Sequence, residues 1–122
     1  MCGYIINRKV LIMKLGVIRC QQTEAYCPGS MDFKVISKRM GAFEGIEEDI
    51  IINGFVSCGG CPGKQINLRI REYIKRGTDT IAFASCMSKG TPIGFKCPHY
   101  EAIMAAVKKE FGDQIKILEY TH

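Results

Sequence analysis

Ile50-Ile-Ile-Asn-Gly-Phe-Val-Ser57 runs directly into Cys58-Gly-Gly-Cys61-Pro62, after which Ile66, Ile70, Tyr73 and Ile74 recur at helical spacing as far as Gly77. The first run is rich in β-branched and aromatic residues and reads as a strand. The later positions make one apolar stripe, and Gly77 supplies the stop that helices favour. Pro62 suits a first helical turn, where its missing N–H would have had no partner. A strand passing through a tight turn into a helix argues for a parallel sheet with helical crossovers.

The same alternation extends in both directions. Upstream, Leu15-Gly-Val-Ile-Arg-Cys20 reads as a buried strand whose start reaches back toward Val10. Residues 31–43 read as a helix with Phe33, Ile36, Met40 and Phe43 on one face and Ser30 or Asp32 as its cap. Downstream, Thr80-Ile-Ala-Phe-Ala-Ser-Cys86 reads as a third strand. Pro98 opens a third helix carrying Tyr100, Ile103, Met104, Val107 and Phe111 ahead of Gly112, and residues 115–120 close the chain as a fourth strand. The order βαβαβαβ predicts an α/β three-layer sandwich, a mostly parallel four-stranded sheet of flavodoxin-like or Rossmann-like type. A flavodoxin-like order sets the first strand between the second and third, so the turns after these three strands are neighbours, roughly 5 Å apart at strand level.

The 122 residues suit one domain. Residues 1–12 fit the pattern poorly and are read as an N-terminal extension or edge segment; residues 13–122 are the domain. Cys2 lies in the extension, away from the other cysteines. No apolar run approaches the roughly 20 residues a membrane-spanning helix needs. Asn7, Arg8 and Lys9 interrupt the apolar start, and no small-residue cleavage site follows, so a signal peptide is not expected. A cytoplasmic protein with reduced thiols is the expectation. The formal net charge is +5, but Lys and Arg are spread over the helices, and thiolates would offset part of the excess. With no dense basic tract, nucleic acid is not an expected partner.

Six of the seven cysteines fall into three pairs: Cys20 with Cys27, Cys58 with Cys61, and Cys86 with Cys97. Each pair occupies a strand-to-helix turn, and the second member of each is followed by proline. In a parallel sheet all such turns open at the carboxyl edge, so distant sulfurs collect there. Zinc and iron–sulfur clusters both take thiolates, four in a closed site. His99 and His122 reach the same edge. Helix N-termini nearby would favour the thiolate form. Six cysteines exceed the needs of one tetrahedral ion, which leaves a cluster, a second metal or free thiols open. Arg19 is placed to balance thiolate charge, and Gln21, Gln22, Thr23 and Glu24 line the first turn.

Other readings stand beside this one. Buried cysteine is a common small hydrophobe, and His99 has the position of a helix cap. Cys58 and Cys61 have the placement of a thioredoxin-type pair, though proline follows the second cysteine instead of standing between the two. A cysteine phosphatase would need arginine where Lys64 stands. A Walker loop would need Ser or Thr where Gln65 follows Gly63-Lys64.

From Met13 onward, about nine-tenths of the chain resembles the CGGC-domain family of small prokaryotic proteins. The likeness rests on Ile18-Arg-Cys-Gln-Gln-Thr-Glu24, Cys27-Pro-Gly29, Cys58-Gly-Gly-Cys-Pro-Gly63 and Cys97-Pro-His99. The resemblance implies metal binding, zinc in particular, with ligands among Cys20, Cys58, Cys61, Cys86, Cys97 and His99; it implies no particular reaction. The expectation is therefore a thiolate metal site at the sheet edge, zinc favoured and an iron–sulfur cluster second, in a sensory, carrier or catalytic role. A thiol–disulfide oxidoreductase or redox sensor using Cys58 and Cys61 is the alternative. A small molecule or a protein that accepts the ion is the further partner either role would need.

Overall fold

The computed structural model describes residues 11–92 and 94–122; the expectations for residues 1–10, including an early strand start at Val10 and the separateness of Cys2, lie outside them. Four strands form one sheet: β1 Ile12–Arg19, β2 Asp49–Ser57, β3 Thr80–Phe83 and β4 Lys116–Leu118. All pairings are parallel and the order is β2-β1-β3-β4. The expected flavodoxin-like order therefore holds, with the reversal of strand order falling between β1 and β3.

Alternation along β1 sends its side chains into two cores. Met13, Leu15 and Val17 pack with Val35 and Ile36 of α1 (Ser30–Lys38) and with Phe43. Ile18 packs with Ile66, Ile70 and Tyr73 of α2 (Ile66–Lys75), and with Tyr100, Ile103, Met104, Val107 and Phe111 of α4 (Tyr100–Phe111). The stripes read on these two later helices are thus the buried ones.

The first helix is shorter than its pattern suggests. It ends at Lys38, because Arg39 takes the left-handed conformation at φ 56° and Met40 N–H returns to the Val35 carbonyl. The Arg39 guanidinium holds that turn by donating to the carbonyls of Ile46 and Glu48, at 3.1 and 2.8 Å. Phe33 and Met40 are consequently exposed, while Asp32 is buried in the first turn. The second helix also starts late. Pro62 sits in a turn, Gly63 N–H donates to the Gly60 carbonyl at 2.8 Å, and helix geometry begins only at Ile66. The third strand ends at Phe83, and the chain folds into a single helical turn, α3 (Ser85–Ser88), that carries Cys86. The fourth strand covers only three of the six residues expected.

Two details fix the sheet. Leu15 pairs with Ile52 and Gly16 with Gly54, so Asn53 is an extra residue on β2. Its side-chain amide donates to the Arg76 carbonyl and the Thr78 hydroxyl, at 3.1 and 2.7 Å, and ties the bulge to the end of α2 and the turn after it. The Tyr73 ring lies across the backbones of Gly16 and Gly54, and its hydroxyl donates to the Val17 carbonyl at 2.9 Å. Beyond β4 the chain returns to the carboxyl edge. Thr121 and His122 N–H groups both donate to Ser85 Oγ, and Thr121 accepts from Ser85 N–H. His122 is held there by its own N–H and carbonyl, the latter accepting from Ser85 Oγ and Lys89. Among the described residues, no helix is long and apolar enough to cross a membrane.

Candidate functional site

The loops after β1, β2 and β3 meet at the carboxyl edge, and short backbone contacts lock them together. Cys58 N–H donates to the Arg19 carbonyl at 2.7 Å, carrying the β1–β2 ladder one step past the strands. Cys20 N–H donates to Cys86 Sγ at 3.2 Å, which joins the first and third loops through a sulfur. Cys97 N–H donates to the Met87 carbonyl at 3.0 Å and draws the approach to α4 onto α3. Two glycines explain how the second loop fits. A Cβ on Gly60, at φ 103°, would stand 2.9 Å from Gln21 Oε1, and one on Gly59, at φ 82°, would stand 2.9 Å from the Arg69 guanidinium. The loop is wedged between the first turn and α2, where a side chain would have neither room nor an easy backbone conformation.

The sulfurs differ in exposure. Cys58 and Cys86 are buried, Cys20, Cys27 and Cys97 half-buried, Cys61 exposed, and all six are free thiols. Burial pushes the Cys86 thiol above its ordinary range, and neighbouring charge on Cys20 and Asp32 adds to this. The Cys20 amide, which donates to its sulfur, and the nearby Thr23 hydroxyl work the other way. Burial also raises Cys97, with negative charge on Cys20, Cys61 and Cys58 pushing in the same direction against the His99 amide. The expected lowering by helix N-termini is not what these two thiols experience. Cys86 sits in a helix of a single turn and Cys97 three residues before α4, and desolvation dominates at both.

Cys20, Cys58 and Cys61 thus each lie within electrostatic reach of Cys97. Among the described residues, however, no three His, Cys, Asp or Glu side chains are disposed to hold one ion. The donor chemistry suits a thiolate-preferring metal, while these side-chain positions do not converge on a single point. His99 lines a hollow with Pro62, Lys64 and Asn67. Arg19 is 5% exposed and its Nη2 has no hydrogen-bond partner among the described residues. Of the first-turn residues, Thr23 is buried and donates to the Cys20 carbonyl at 3.2 Å, while Gln21, Gln22 and Glu24 face solvent.

A cavity of about 290 Å³ opens beside this rim, between the loops after β1 and β3. Cys27, Cys86, Asp32 and His122 all line it. Asp32 accepts from the Thr121 hydroxyl at 2.5 Å, and His122 Nε2 stands 3.7 Å from the same carboxylate oxygen. Sequence reading placed Asp32 only as a helix cap. No periodicity links it to Thr121, 89 positions away.

A parallel α/β domain with a cysteine-lined carboxyl edge is the class this geometry defines. The chain belongs to the CGGC domain family, whose model matches residues 14–122. Among similar proteins, the uncharacterized protein MJ0582 of Methanocaldococcus jannaschii is 32% identical over 118 residues, covering 90% of this chain and 87% of its own. The uncharacterized protein MJ0766 of the same organism is 34% identical over 55 residues, covering 44% of this chain and 79% of its own. No solved structure matches the chain.

Proposed function

We propose that the rim binds a metal ion through Cys58 and Cys61 of one loop with Cys20 and Cys97 of its neighbours, zinc ahead of an iron–sulfur cluster. The observation carrying this reading is that charge on Cys20, Cys58 and Cys61 reaches Cys97, which brings sulfurs from three separate loops into one neighbourhood. Side-chain rotation about these cysteines is the movement that closure requires. Cys86 falls outside the preferred set because its sulfur accepts the Cys20 amide and faces the adjoining cavity. A zinc ion closed by four thiolates serves a structural, sensory or carrier role, and one with an open position supports small-molecule chemistry. Elemental analysis with an absorption spectrum of anaerobically purified protein is the test. Stoichiometric zinc without colour supports the reading, brown protein with iron and sulfide moves it to a cluster, and metal-free protein with all seven thiols titrating freely overturns it. Cys58→Ser lowers metal content if the assignment is right.

A second reading is favoured by the unequal exposure of the central pair. Cys61 is exposed and Cys58, three residues before it, is buried, the disposition of an attacking and a resolving thiol in disulfide exchange. Thiols that titrate fully without chelator and cycle with a dithiol reductant select this reading over the metal one. A reducing, cytoplasmic setting accompanies both, since each depends on free thiols.

A further inference from the structure

The 290 Å³ cavity lies where strand order reverses, between the carboxyl ends of β1 and β3, the position at which open parallel sheets take small ligands. Its walls are mainly apolar, from Tyr26, Met31 and Pro92 among others, and two sulfurs reach it, Cys27 from the first loop and Cys86 from α3. Asp32 supplies a carboxylate at one side that is 3% exposed. Both of its described contacts, from Thr121 Oγ1 and His122 Nε2, fall on Oδ1, so neither occupies Oδ2. No Lys or Arg is among the lining residues, and Lys89 is engaged with the His122 carbonyl at 2.8 Å and with the Tyr120 ring. A buried carboxylate with an unfilled acceptor in an apolar cavity calls for a cation or a strong hydrogen-bond donor.

We propose that this cavity is a binding site for small cationic thiols and disulfides, in which Asp32 takes the ligand's ammonium group and Cys27 meets its sulfur. Cys27 is the half-buried thiol of the two and is the attacking group; Cys86 forms the buried wall. With a disulfide ligand, the Cys27 thiolate attacks one ligand sulfur. A bond forms between them, the ligand's own S–S bond breaks, and the departing half leaves as a thiolate that takes a proton from water. The disulfide is the oxidant and the protein thiol is oxidised to a mixed disulfide. The assignment is independent of whether the rim holds a metal.

Cystamine, a small dication, and 3,3′-dithiodipropionate, a dianion of similar length, test it. The rate of mixed-disulfide formation at Cys27 is followed by peptide mass mapping in the folded protein, and divided by the rate at the same cysteine in the chain unfolded in urea. That reference removes the intrinsic difference between the two disulfides. The corrected rate at Cys27 favours cystamine by about tenfold, the effect of one partly desolvated opposite charge. This runs against the +5 net charge of the chain, which attracts the dianion. Asp32→Asn removes the preference. Ser30→Lys, at an exposed position in the cavity wall that leaves Asp32 and its hydrogen bond in place, reverses it. Equal corrected rates for the two disulfides, faster reaction of the dianion, or a preference that survives Ser30→Lys would each overturn the proposal.

Discussion

Tyr73 makes one hydrogen bond and fills one groove, and both are legible as energies. Its hydroxyl donates to the Val17 carbonyl inside the sheet layer, and burial pushes its ionisation up to about 12, with the Arg69 charge opposing the rise. Tyr73→Phe keeps the ring and removes the donor, which leaves a buried carbonyl short of a partner and costs about 1–2 kcal/mol in urea unfolding near neutrality. The same group makes a contribution with a definite pH sign. The folded value lies above the ordinary 10.0, so below pH 10 both folded and unfolded chains hold the proton and the contribution is whole. Between pH 10 and about 12 the unfolded chain alone releases it, and stability falls as pH rises. The wild-type protein therefore loses stability more steeply than Tyr73→Phe over that interval, by roughly 2 kcal/mol in total. Parallel slopes for the two proteins would show that the phenol ionises as easily folded as unfolded.

At the level of elements, α2 lies tight against the middle of the sheet through the Tyr73 ring. A Cβ on Gly16 would stand 2.6 Å from the Tyr73 ring, and one on Gly54 would stand closer still. Gly16→Ala accordingly destabilises by about 1–3 kcal/mol, the range for overpacking a filled site. The loss shrinks in a Tyr73→Leu background because the ring is the obstacle; a denaturant-unfolding double-mutant cycle without coupling would place the strain elsewhere. The sequence carried the elements whose apolar residues follow one period without interruption. Ile66, Ile70 and Tyr73 stay on one face because nothing breaks α2 before Gly77, and the alternation of strand and helix implied the parallel sheet. Breaks made by backbone conformation were invisible. Arg39 ends α1 in a left-handed turn that arginine rarely adopts, and the uniformly buried run Thr80 to Cys86 conceals the point at which β3 becomes α3. The gathering of cysteines at one edge was legible, since topology alone brings the loops together. Which sulfur faces the rim and which the cavity was not, because that depends on side-chain direction and on contacts such as Asp32 with Thr121.

For the molecule as a whole, burial and mutual repulsion of thiols at one edge set the terms on which an ion would enter. Cys97 resists ionisation because it is half-buried and because charge on three neighbouring sulfurs opposes it. An added divalent cation reverses that repulsion, and it does so only in the folded chain, where charge on Cys20, Cys58 and Cys61 reaches Cys97. Linkage then converts binding into stability: zinc at a hundred times its dissociation constant adds about 2.7 kcal/mol. For a domain of this size that is a rise of roughly 10 °C in the thermal midpoint. Because the sulfurs must lose protons to bind, the rise is larger at pH 8 than at pH 6. Calorimetric scans of chelator-stripped protein, with and without added zinc, measure it directly. Cys58→Ser abolishes most of the rise, whereas Cys86→Ser, in the cavity wall outside the proposed ligand set, keeps it. Were Cys58→Ser to gain as much from zinc as the wild-type chain, the ion would be binding elsewhere, and the grouping of these four sulfurs would owe nothing to metal.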